Sequence, residues 1–92
     1  MYNKKYRLEK IEQFNHFNPI YADVEGCIAY PAYFNVGERG WFIWIEDFLI
    51  KEFSHRIHTS IVESVDYVDD EIIVVTQNTR FVFKEAANKS SI

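Results

Sequence analysis

The sharpest pattern of apolar and polar positions lies in the last third of the chain. Residues 57–68, IHTSIVESVDYV, are rich in β-branched side chains, and period-two alternation places Ile57, Thr59, Ile61, Val65 and Tyr67 on one face. Glu63 interrupts that face, and Val62 and Val68 fall opposite; a bulge near residues 62–64 would move Val62 and Val65 onto one side. Asp69 and Asp70 supply turn chemistry. Residues 72–77, IIVVTQ, follow as a strand that is apolar on both faces and therefore central. Asn78 and Thr79 make the next turn, since Asn tolerates positive φ, and residues 80–84, RFVFK, return with Phe81 and Phe83 on one face. These segments predict a three-stranded antiparallel meander.

Upstream, VEGCIAY at 24–30 and GWFIWI at 40–45 read as strands separated by a loop that contains Pro31 and VGERG. Gly37 and Gly40 bracket Glu38 and Arg39, a tight-turn signature because glycine takes positive φ without strain. DFLIKEF at 47–53 fits one helical turn or an irregular crossover. In KYRLEKIEQF at 5–14, Lys and Glu favour helix while Tyr6 and Leu8 alternate as a strand would, and the pattern leaves both open. Five or six short strands without a sustained helix predict an all-β fold, a small SH3-like barrel or a sandwich, architectures that protect strand edges. Residues 1–85 are expected to form a single β domain, and 86–92, with its NKSS, a disordered C-terminal tail.

Length and composition fit one core. In 92 residues there are eight Phe, six Tyr and two Trp, and each buried ring removes roughly 150–250 Å² from water. The single Cys27 cannot form an intramolecular disulfide and supplies too few thiols for a Cys-rich zinc site, so it reads as a small buried hydrophobe. No charged-then-apolar leader begins the chain, and its longest apolar stretch is Trp41–Ile45, far short of the roughly 18 residues of a membrane span. A soluble cytoplasmic protein without a membrane partner is expected.

Net charge is −4 and unevenly spread. Lys4, Lys5, Arg7 and Lys10 crowd the start, whereas Glu63, Asp66, Asp69, Asp70 and Glu71 make the later region acidic. A protein that grips phosphates needs a cationic surface to release counterions, so nucleic acid is disfavoured as a partner except at the basic N-terminus. The acidic 63–71 strip could instead mimic nucleic-acid phosphates.

Three runs, VGERGWF at 36–42, HRIHTSIV at 55–62 and IVVTQNTRF at 73–81, resemble a group of short all-β proteins from phages and conjugative elements of Gram-positive bacteria. That group carries the same order of a GERG turn, a histidine-bearing TSxV strand and a TxNT hairpin, and the resemblance spans roughly residues 22–84. It implies a compact β fold, a strand over 5–12 and a mobile-element accessory protein. No assigned activity accompanies it, so it transfers no catalytic residue.

Residues 55–60, HRIHTS, are the clearest candidate for chemistry. Zinc would require both imidazoles at roughly 2.0–2.1 Å from one ion, but residues three apart on a strand point to opposite faces. A small metal-dependent hydrolase built on His16, His55 and His58 is one alternative, with Cys27 a further unplaced ligand. Activation of Ser60 or Thr59 by His58, oriented by Asp66, is another. Thr59 diverges from His58, however, and Ser60 lies roughly 6–7 Å along the strand with no nucleophile elbow or oxyanion loop. The VGERG run lacks a P-loop ending and leads into a strand, so it reads as a turn with Arg39 exposed at its tip. Glu46 with Asp47, and the acids at 63–71, match no calcium loop. No cofactor, metal or catalytic set is therefore expected.

Aromatic density remains: Tyr30, Tyr33, Phe34, Trp41, Phe42, Trp44 and Phe48 fall close together. Because GWFIWI is apolar on both faces, either Trp41/Ile43/Ile45 or Phe42/Trp44 is available to a partner. Interfaces favour Trp, Tyr and Arg, which makes Arg39, Trp41, Trp44, Arg56 and His58 the expected contact residues. Ile57 and Thr59 are expected to face inward, with His58 and Ser60 outward. The expected function is a non-catalytic protein-binding module of a mobile element that modulates or inhibits a host protein, such as a defence system. The rival readings are the hydrolase and a nucleic-acid-binding barrel that uses the basic N-terminus. A homodimer through an exposed strand edge is also compatible with the sequence.

Overall fold

The computed structural model describes residues 5–47 and 52–86. Six strands, β1 (Tyr6–Gln13), β2 (Ile28–Tyr33), β3 (Arg39–Asp47), β4 (Glu52–Val68), β5 (Glu71–Thr76) and β6 (Thr79–Glu85), close into one barrel. Every pairing between them is antiparallel, and β6 returns to β1. One short helix, α1 (Ile20–Val24), joins β1 to β2. The fold is a small all-β barrel rather than a sandwich.

The ambiguous first segment is a strand because a bulge reconciles its two patterns. The register against β6 shifts between Leu8 and Lys10, and the extra residue brings Leu8 and Ile11 onto the core side. Their spacing of three imitates a helix in the sequence, while the Lys and Glu positions between them face solvent.

The strand expected over 24–30 starts later, at Ile28. Pro19 enters α1 with φ −63°, and the Asn18 Oδ1 atom accepts the Ile20 N–H at 3.2 Å. Tyr21 and Val24, one turn apart, are both buried, and Gly26 then reverses the chain at φ +89°. Pro31, expected in a loop, lies within β2 opposite Phe42. It is tolerated because β2 and β1 register only through Ile28 and Ala29; among the described residues, no strand continues along that flank at Pro31. Cys27 is half-buried rather than fully buried, and its thiol donates to the Asp23 carbonyl at 3.4 Å.

The meander is present as β4–β5–β6, and β4 carries the bulge anticipated at 62–64. Val62 is buried and Val65 packs against the core. A second bulge lies opposite Arg39–Trp41, where β4 advances from His58 to Ile61. Together the two bulges pass the inward face from Ile57 and Thr59 to Val62, leaving Ile61 half-buried. Tyr67, expected on the inner face, is 75% exposed at the end of the hairpin, where no other layer covers it.

The turns also differ in detail. Asp69 takes positive φ, +54°, in the β4–β5 turn. The β5–β6 turn is Gln77–Asn78, with Thr79 already in β6 and Asn78 at an ordinary φ. Of the 47–53 segment expected to be a helical turn or crossover, the described ends belong to strands, since β3 and β4 pair as far as Asp47↔Glu52. Phe48 and its neighbours to Lys51 lie outside the described residues, as do Lys4 and the expected tail from 87 onward.

Aromatic rings fill the barrel. Phe42, Phe81 and Phe83 are fully buried; Phe42 meets the other two at centroid distances of 5.6 and 5.5 Å in edge-to-face geometry, the arrangement that ring quadrupoles favour. Tyr21 of α1 caps the set, edge-on to Phe81 at 5.3 Å. Leu8, Val24, Ala29 and Val74 complete the interior. Among the described residues, no helix is long and apolar enough to cross a membrane.

Candidate functional site

Alternation along β3 divides the apolar run GWFIWI between two environments. Phe42 points into the barrel, and Trp44, on the same side, packs against the core. Trp41 and Ile43 are half-buried on the outer face, where they pair with His58 and Arg56 of β4. The Arg56 guanidinium lies over the Trp41 ring, 4.3 Å from its centroid, close enough for a cation–π attraction. The His58 ring is tilted against the same indole at 6.5 Å. Trp41, Arg56 and His58 thus form one cluster on the outer face of the β3–β4 hairpin, Arg39 lies beside His58 at the end of the barrel, and Trp44 stands on the opposite face.

His55 belongs with Trp44. The two are register partners, their rings 4.8 Å apart, and the Trp44 Nε1 atom is buried without a hydrogen-bond partner. His55 and His58 therefore serve two different faces. His16 shares a pocket with His58, but among the described residues no three His, Cys, Asp or Glu side chains converge as metal ligands would. The proposed ligand set of His16, His55 and His58 is not assembled.

The hydroxyls beside His58 have structural occupations. Thr59 Oγ1 accepts the buried Gly40 N–H at 3.0 Å and donates to the Ser60 carbonyl at 2.8 Å. Ser60, expected to face outward, is drawn in by the second β4 bulge, and its hydroxyl donates to Thr76 Oγ1 at 2.9 Å. Thr76 Oγ1 also accepts the N–H groups of Asn78 and Thr79 and donates to the Thr79 carbonyl. This network fixes the β5–β6 turn onto β4.

Arg39 is the first residue of β3 rather than the tip of a turn. The preceding turn is held on the 62–64 bulge: the Gly37 N–H donates to the Val62 carbonyl and the Val62 N–H to the Glu38 carbonyl, both at 2.8 Å. Only Gly37 needs positive φ there, at +91°. Gly40 is required for close approach, because a Cβ would lie 2.5 Å from Phe34 Cδ1 and 2.8 Å from the Tyr33 carbonyl oxygen. Arg39 Nε donates to the Thr59 carbonyl at 2.9 Å, which aims the guanidinium across the end of the barrel.

That end opens as a pocket of about 350 Å³ formed by four separate stretches: the β1–α1 connection with Tyr21, the start of β3, residues 58–61 of β4 and the β5–β6 turn. Burial raises the Tyr21 phenol above its ordinary value near 10, and the Arg39 charge opposes part of that rise. Two hydrogen bonds tie the connection to the turn, from the Phe14 N–H to the Asn78 carbonyl and from Asn15 Nδ2 to the Gln77 carbonyl, both at 2.7 Å. Phe14 and Phe17 remain 53% and 68% exposed on this connection.

Neither phenylalanine was singled out from the sequence, nor was Tyr21, and Asn78 was read there only as a turn residue. The available signal was FNHFNP at 14–19, two aromatic rings set among turn-forming Asn and Pro with no periodicity to bury them. Elsewhere, Arg7 Nη1 donates to the Gly26 carbonyl at 2.8 Å, and Lys10 Nζ lies 3.8 Å from a Glu12 carboxylate oxygen. Two cations of the N-terminal basic cluster thus already have partners. Glu63, Asp66, Asp69 and Asp70 are exposed along the β4–β5 hairpin. Comparison with protein-family models, curated proteins and solved structures finds no match to the chain.

Proposed function

We propose that the protein is a non-catalytic protein-binding barrel that engages its partner through the outer face of the β3–β4 hairpin. The observation that carries this reading is Trp41 held between Arg56 and His58 on an exposed sheet surface. A large indole flanked by a guanidinium and an imidazole has the composition of interface hot spots. Its cationic rim on an acidic chain of net charge −4 matches a partner surface with carboxylates around an apolar side chain. The internal bonding of Thr59 and Ser60 supports a binding role over nucleophilic catalysis. The resemblance to phage and conjugative-element proteins supports a mobile-element accessory that modulates a host protein, such as a component of a defence system.

Affinity capture from a Gram-positive host lysate tests this with three baits: the unaltered protein, Trp41→Ala and Tyr67→Ala. The expected result is one stoichiometric partner held by the unaltered protein and by Tyr67→Ala, and lost with Trp41→Ala. Equal capture by all three baits, or no stoichiometric partner together with a monomeric sedimentation profile, overturns the proposal.

A further inference from the structure

We infer that the open end of the barrel is a binding pocket for a small phosphorylated molecule, a nucleoside monophosphate by its fit. This goes beyond the protein-binding reading and is carried by different observations. Arg39, His16 and His58 line the pocket, and among the described residues no carboxylate does, although the chain has 14 Asp and Glu against 10 Lys and Arg. An acidic protein thus gathers a guanidinium and two imidazoles around one concavity from which its acids are excluded. Such a site, with the Arg39 guanidinium as its fixed charge, attracts an anion.

The donors are free and held in position. Arg39 uses Nε on the Thr59 carbonyl, which leaves its two terminal nitrogens without a partner among the described residues, a planar fork suited to two phosphate oxygens. Tyr21 and Asn78 line the same opening. The support behind them is stiff, since Ser60, Thr76 and Thr79 are locked by hydroxyl bonds, and the segment bearing His16 is tied to the β5–β6 turn through Asn15. Catalytic and binding constellations depend on this kind of backing.

Size and rim select the rest of the ligand. About 350 Å³ lies within the range of small-molecule sites and is more than a lone carboxylate needs. Phe17, 68% exposed, sits between the lining residues His16 and Asn18, and Phe14 is nearby in sequence. A nucleobase can lie against such rings through stacking that tolerates any base.

Titration of the 15N-labelled protein with AMP, adenosine and inorganic phosphate provides the test. AMP is expected to shift the amide signals of Tyr21, Arg39, Ser60 and Asn78 saturably, with inorganic phosphate weaker and adenosine without effect at the same concentrations. Arg39→Gln and His16→Gln are each expected to weaken AMP at least tenfold, while Lys84→Gln, at an exposed position outside the pocket, leaves it unchanged. His16 is exposed, so its variant keeps the test intact should Arg39→Gln fail to fold. Adenosine binding as tightly as AMP, no saturable shifts at these residues with AMP or phosphate, or equal weakening by Lys84→Gln overturns the assignment. Inorganic phosphate binding as tightly as AMP overturns the role given to the phenylalanine rim. Loss of a protein partner in Trp41→Ala with AMP binding retained separates this pocket from the contact surface.

Discussion

The Ser60 hydroxyl donates to the Thr76 hydroxyl at 2.9 Å, a side-chain bond that joins β4 to β5 where the barrel opens. Thr76 is buried and its oxygen also receives two backbone N–H groups from the following turn. Replacing it with Val keeps the shape and strands those donors, at a cost of about 2–3 kcal/mol in folding stability. Thr76→Ser restores most of that. Urea denaturation of the two variants is the measurement; a Val variant as stable as the unaltered protein would show that the hydroxyl does not organise the turn.

Gly40→Ala is expected to destabilise the barrel by about 1–3 kcal/mol. The added carbon meets both the Phe34 ring and the Tyr33 carbonyl oxygen, and only the ring can move aside. Thermal unfolding of Gly40→Ala alone and combined with Phe34→Ala separates the two. Removing the ring should reduce the clash without abolishing it, because the backbone oxygen stays.

Stability is expected to decline above about pH 10, with Tyr21 as one contributor. Burial raises its phenol above the ordinary value near 10, so the fold favours the neutral form while the unfolded chain ionises first. Its contribution is therefore fully present below pH 10 and is lost as pH rises through the folded value. Unfolding midpoints from about pH 8 to about pH 11 should fall less steeply for Tyr21→Phe than for the unaltered chain. An unchanged slope would remove Tyr21 from the account. Tyr33 is raised chiefly by donating to Glu38 Oε1 at 2.7 Å; being exposed, it serves as a control of small effect.

How far the fold was legible depended on whether each element followed a regular period. β6 sets Phe81 and Phe83 two apart between Arg80 and Lys84, so both were assignable to the core from their spacing. The bulge at 62–64 left a visible trace, because Glu63 broke an otherwise apolar face. The bulge after Leu8 left a misleading one, since it produces a three-residue spacing within a strand. Val24 looked like the start of β2 because its β-branched side chain suits strand and helix cores alike; its burial beside Tyr21 depends on the turn that Pro19 and Asn18 start. The grouping of Trp41, Arg56 and His58 was readable, as they lie on one hairpin with fixed alternation, whereas Trp44 falls on the other face. The pocket was not, because its walls come from four stretches that only closure of the barrel brings together.

Each strand bonds to its neighbour in sequence except where β1 meets β6. There Tyr6 faces Glu85, and the Ala86 N–H donates to the Lys5 carbonyl at 3.0 Å. Hairpins form in about 1–10 μs, but joining distant segments costs chain entropy that grows with the logarithm of the loop between them. The β1–β6 seam is the most expensive contact in that respect and gives the barrel its non-local character, a property that slows folding across small domains. Closing these two strands together is therefore where the chain-entropy cost of the barrel is concentrated.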